Sequence, residues 1–114
     1  MSRRRFQRAI RTLRRELPCA FPVRVRTVQR VERHDPWGDC ERRDGDFAHF
    51  VIRIAAANEE MMIATLIHEW AHARCWNHLH DTLDIDATDA EWHGEEWGIE
   101  FSRCYRAVIS QGQT

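Results

Sequence analysis

Met61-Met62-Ile63-Ala64-Thr65-Leu66-Ile67-His68-Glu69-Trp70-Ala71-His72-Ala73 is apolar on nearly every side, yet it carries two histidines and a glutamate. Just before it, Asn58 can cap a helix, and Glu59 and Glu60 suit the first turn. The predicted helix runs over 58–77. Hydrophobicity all round places such a helix at the centre of a domain rather than on its surface. His68 and His72 are four apart, hence about one turn apart on one face. Both imidazoles can then reach a single metal ion, while Glu69 projects beside them toward a water on that ion. Polar groups buried without partners are costly, and a cation would supply partners here.

Working outward toward the N-terminus, residues 47–54 read as a strand. Ala48, Phe50, Ile52 and Ile54 share one side of it; Phe47, His49, Val51 and Arg53 share the other. A shorter strand at 39–42 and the Arg43-Asp44-Gly45-Asp46 turn complete a hairpin. Asp35-Pro36-Trp37-Gly38 reads as a turn. Val23 to Val31 reads as a further strand whose alternation slips at Val28, either a bulge or the strand's end. The expected sheet therefore spans 23–55, three-stranded and mainly antiparallel. Residues 1–17 form a first helix, capped by Ser2, with Phe6, Ala9, Ile10, Leu13 and Leu17 at helical spacing and arginines elsewhere. A last helix over 93–110 carries Trp97, Phe101, Cys104, Tyr105 and Val108 as its buried stripe. The fold class is α+β, a single domain over 1–114.

Composition agrees with one folded domain. At 114 residues the chain can bury a modest core, and a 43% hydrophobic share with five Trp and five Phe argues against disorder. No run of 18 apolar residues exists, so no transmembrane helix is expected. The arginine-rich start lacks the apolar stretch of a secretory signal, which points to a cytoplasmic protein. Cys19, Cys40, Cys75 and Cys104 are scattered without a C-x-x-C pair, which excludes a zinc ribbon by spacing; Cys75 and Cys104 fall on the apolar stripes of two predicted helices and read as core thiols. Net charge is −1 but unevenly distributed, with eleven arginines against two acids over residues 1–33, and no lysine anywhere. The basic first helix reads as a solvated face, or as a contact for DNA, a DNA-bound protein or another acidic partner.

A catalytic zinc takes three protein ligands and keeps one open position. His93 is the candidate for the third, at the mouth of the last helix, with Gly94 allowing close approach and Trp97 anchoring the first turn. A carboxylate from Asp89, Glu91 or Glu96 is the alternative. The acidic connector 79–92 does not match a calcium loop. His78 and His80 read as surface or capping residues, and His34 and His49 carry no assigned role. Glu69-x-x-His72 matches half of a di-iron site, but no second copy occurs. A packed helix that merely contains these residues is the plain alternative to any metal site.

His68-Glu69-Trp70-Ala71-His72-Ala73 followed by His93-Gly94-Glu95-Glu96-Trp97 resembles the SprT-like zinc metalloproteases. These carry H-E-x-x-H-A on a buried helix and then an H-G-x-x-F-type motif, here with Trp97 in place of Phe. The resemblance covers about residues 47–108. It implies a small zincin-like domain, Zn²⁺ held by His68, His72 and His93, and Glu69 as general base in peptide hydrolysis. It also implies an extended substrate pairing with a strand edge, expected to be 47–54. Several family members continue into a C-terminal zinc ribbon; this sequence reaches Thr114 without one and looks like a minimal catalytic core. From another class, the alternative is a nucleic-acid- or protein-binding module with a structural or vestigial zinc.

Overall fold

The structure is a computed structural model, and it describes residues 3–30, 37–76 and 94–112. In chain order the elements are α1 (Arg4–Glu16), β1 (Val23–Val28), β2 (Gly38–Arg43), β3 (His49–Ala55), α2 (Glu59–Arg74) and α3 (Glu95–Gly112). The arrangement is α+β: an N-terminal helix, a three-stranded sheet, then two helices.

The sheet is mixed rather than mainly antiparallel. Its order is β1-β3-β2, with β1 parallel to β3 and β2 antiparallel to it. The β2–β3 hairpin is as expected, with Gly38 opposite Ile54 and Arg43 opposite His49. β1 pairs on the far side of β3, from Val23 opposite Phe50 to Val28 opposite Ala55, with no bulge at Val28. The physical reason lies in composition. β3 is the most apolar strand, buried at Phe50, Val51, Ile52, Ile54 and Ala55, so it takes the centre, where both edges and both faces are covered. This overturns the expectation that strand 47–54 offers a free edge.

Phe50, Ile52 and Ile54 belong to the main core, together with Met62, Leu66, Ile67, Trp70 and Ala73 of α2, and Phe6, Ala9, Ile10 and Leu13 of α1. On the opposite face Arg53 clamps Asp39 with two bonds, Nε to Oδ1 at 2.9 Å and Nη2 to Oδ2 at 2.5 Å, tying β3 to β2. That carboxylate holds the guanidinium pKa above its ordinary value.

α2 begins as expected, with Asn58 Oδ1 accepting from the Met61 amide at 2.9 Å. It ends at Arg74, sooner than the 77 expected, because Trp76 leaves the helical path and sets its ring 5.4 Å from that of Phe50. Two side chains near this end hold the chain that follows α1. The Trp70 indole N–H donates to the Leu17 carbonyl at 2.9 Å, and Arg74 donates to the Pro18 carbonyl and to Glu100 of α3.

α1 is capped from outside itself. The expected cap, Ser2, lies outside the described residues, and Arg3 offers no side-chain bond. Instead Glu59 Oε2 accepts from the Arg5 and Phe6 amides at 3.0 and 3.2 Å, and Glu59 Oε1 accepts from Arg5 Nε at 3.0 Å. The first acid of α2 thus serves the N-terminus of α1, where negative charge is favoured. Arginine pairs along α1 repel by a few tenths of a kcal/mol each. Burying Phe6, Ile10 and Leu13 contributes about 1.5–3 kcal/mol apiece and outweighs that repulsion.

Candidate metal centre

The histidines sit where α2 emerges between β2 and α3. Because they are four apart on one helix, their rings are neighbours by construction, with centroids 5.0 Å apart and an edge-on relation of 66°. Glu69, one residue on from His68, turns toward β2. The ligand atoms of His68, Glu69 and His72 all lie within 4.8 Å of one another. Among the described residues no other group of histidine, cysteine or acidic side chains converges in this way. Glu69 and His72 are buried and His68 is half-buried. Each of the three also has interactions inside the protein, so burial by itself does not demand an ion. What suits an ion is the pair of imidazole nitrogens on one face of a rigid helix, with a carboxylate beside them that can serve a water on that ion.

The opposite wall comes from α3. The Trp97 ring lies 5.1 Å from that of His68 and 5.6 Å from that of His72, so one indole rests against both imidazoles. Its Nε1–H points at the His68 carbonyl at 3.4 Å. Behind it Phe101 stacks at 5.0 Å and 28°. His93 lies outside the described residues, as do Asp89, Glu91, His34, His78 and His80. Trp97 nevertheless brings the first turn of α3 to the histidine pair. Glu96 is exposed in that turn and is not part of the convergent group. His49 is remote in role, its Nδ1 3.1 Å from the Phe47 carbonyl.

Two residues of β2 complete the surroundings, and the sequence reading assigned neither to the site. Gly38, read as part of a turn, is the first residue of the strand. A Cβ there would stand 2.5 Å from Thr65 Cγ2, 2.8 Å from the Arg53 carbonyl and 3.8 Å from Glu69 Cγ. Only glycine lets β2 lie so close to α2. Cys40, two residues on, has its thiol pKa pushed well above the ordinary value, first by burial and then by the Glu69 charge. A thiol kept protonated in this way is a poor nucleophile. The signal for Gly38 was a glycine beside a strand start, which a turn explains equally well.

Tyr105 departs from expectation: read as core, it is 50% exposed. The arginines of α1 are exposed, yet several are engaged internally, Arg5 with Glu59, Arg15 with Glu16 and Arg14 with the Val23 carbonyl. Among the described residues no helix is long and apolar enough to cross a membrane. Comparisons with protein-family models, with curated proteins and with solved structures find no match to this chain.

Proposed function

We propose that this protein is a cytoplasmic zinc-dependent peptidase of the H-E-x-x-H class, similar to the SprT-like metalloproteases, acting on protein or peptide substrates. The observation that carries this reading is the convergence of His68, Glu69 and His72 on the face of a buried helix, walled by β2 and by Trp97. His68 and His72 would hold the ion as neutral imidazoles, with His93 as the third ligand. Trp97, four residues beyond His93, supports that assignment, because it brings the start of α3 to the same place. When bound, the ion supplies Lewis acidity, which polarises a carbonyl and makes water a nucleophile near neutral pH.

The rest falls to the chain's own groups. Glu69 accepts a proton from the attacking water and passes it to the leaving amine. Burial of Glu69 beside Gly38 and Cys40 shields that transfer from bulk solvent. Among the described strands β2 stands at the end of the order β1-β3-β2, beside Glu69, the strand past which an extended peptide substrate would be laid. Four cysteines without disulfides suit a reducing compartment.

Two variants test the reading. Purified protein should contain near-stoichiometric zinc by elemental analysis. Glu69→Gln should keep that zinc while cleavage of an unfolded casein substrate falls by about 10²–10⁴. His93→Ala should lose most of the zinc. Metal-free protein that refuses added zinc, or a Glu69→Gln protein that still cleaves, defeats the proposal.

A further inference from the structure

Apolar contact holds α3 to the core through Phe101, Cys104 and Val108. Such contact is non-directional, and helix packing tolerates a scatter of about 15–20° in crossing angle. Yet Trp97 must meet two imidazoles at once, with ring centroids at 5.1 and 5.6 Å. Phe101 stacks behind the indole, but it rides on α3 itself and cannot fix that helix against α2. The bond from Trp97 Nε1 to the His68 carbonyl is long, at 3.4 Å. A directional link between the two helices stands close by. Arg74, two residues beyond His72, donates from Nε to Glu100 Oε2 at 3.0 Å and from Nη2 to Glu100 Oε1 at 3.5 Å. Glu100 is three residues beyond Trp97, on the same face of α3 and ~4.5 Å further along its axis.

We propose that Arg74 and Glu100 are positioning residues of the candidate metal centre: their ion pair fixes α3 on α2 and so holds Trp97 against His68 and His72. The inference rests on the reading of that centre and deepens it. Both ends of the pair are themselves restrained. Arg74 Nη1 donates to the Pro18 carbonyl in the chain after α1, and Arg103 Nη1 donates to Glu100 Oε1 at 2.9 Å. The pair is also sheltered. The Glu100 side chain is 12% exposed and that of Arg74 22%, against 59% and 50% for the pair Arg15 and Glu16. Exposed pairs of the latter kind are screened and fix little. A charge-assisted fork held out of bulk water gives geometric definition as well as energy. Clamp and indole lie within one turn of each other on α3, and clamp and His72 within one turn on α2. A shift of α3 at the clamp therefore passes directly to the ring contacts. Arg74 and Glu100 act through Trp97 and supply no ligand themselves.

Two measurements on full-length protein test it. The first is read without metal, from the imidazole proton signals of His68 and His72 in zinc-free, histidine-labelled protein, which the Trp97 ring current displaces. Glu100→Ala should move both signals toward their positions in Trp97→Ala. Glu100→Gln, which keeps the size and one acceptor oxygen, should move them the same way by less. The second is zinc affinity, by competition with a chelating dye. Glu100→Ala should weaken it about tenfold, on the scale of residues that orient metal ligands. The control is Glu59→Ala, whose carboxylate serves α1 instead; it should lower the melting temperature yet leave zinc affinity unchanged. Imidazole signals that stay at their wild-type positions in both Glu100 variants would overturn the proposal. So would a zinc affinity that falls no further in Glu100→Ala than in Glu59→Ala. A wild-type protein that binds no zinc defeats the peptidase reading alone, because the metal-free imidazole signals still decide what the pair does.

Discussion

Trp97 is the residue on which the candidate centre leans most without supplying a ligand. Two imidazoles on adjacent turns of α2 have rotameric freedom of their own, and one indole from α3 touches both rings. Holding both side chains in ligating rotamers beforehand removes part of the ordering cost of binding an ion. Trp97→Ala is therefore expected to weaken zinc affinity by about tenfold, on the scale of supporting residues around metal sites. Trp97→Phe should restore most of it, since a ring remains. Competition titration against a chelating dye measures both, and an unchanged affinity in Trp97→Ala would remove Trp97 from this role. Glu69 was recognisable from its place in the motif, and Gly38 was not. The role of Gly38 comes from what stands opposite, the Arg53 carbonyl and Thr65, 15 and 27 residues further along the chain, and its own neighbourhood carries no signal of them except the glycine itself.

Between elements, two contacts decide how the site is assembled. β2 approaches α2 through Gly38, and any Cβ there must displace Thr65 or the β3 backbone. Gly38→Ala should cost about 1–3 kcal/mol, as overpacked sites do, measured by urea unfolding. Peptidase activity should fall with it, because the wall beside Glu69 moves. The second contact is Glu59 at the N-terminus of α1. The Phe6 amide, with help from Arg5, holds the Glu59 carboxyl below its ordinary pKa. A depressed folded pKa means that the unfolded chain binds the proton more tightly. Stability from this group is thus full at neutral pH and fades as pH falls through the carboxylate range. Melting temperatures taken from pH 7 down to pH 3 should drop less steeply in Glu59→Gln than in the wild-type protein. Parallel curves would remove Glu59 as the cap.

For the molecule as a whole, the thiols report how well the core is closed. Burial pushes Cys19 and Cys104 up to about 12 and Cys75 up to about 11. Raised values favour the neutral folded form below the unfolded pKa. Their stabilising effect is therefore present at pH 7 and lost as pH rises beyond about 9 toward the folded values. Stability should stay level between pH 7 and pH 8.5 and decline above that, with native thiols alkylated by iodoacetamide far more slowly than in guanidinium. Rapid alkylation of Cys104 in the native protein at pH 8 would contradict a closed core at the α3 contact.

Local signals determined the helices, the β2–β3 hairpin and the pairing of His68 with His72. Each depends on residues a turn or a hairpin apart, and periodicity reports such relations directly. The α+β class and the Asn58 cap were legible for the same reason. Strand order was not, because placing β3 between β1 and β2 depends on which strand has the most apolar surface to hide, a comparison across the whole chain. Neither the cap that α2 lends to α1, nor the indole against both imidazoles, nor the close approach at Gly38 could be read from neighbours in sequence. They arise where distant segments meet, and only the tertiary structure decides which segments those are.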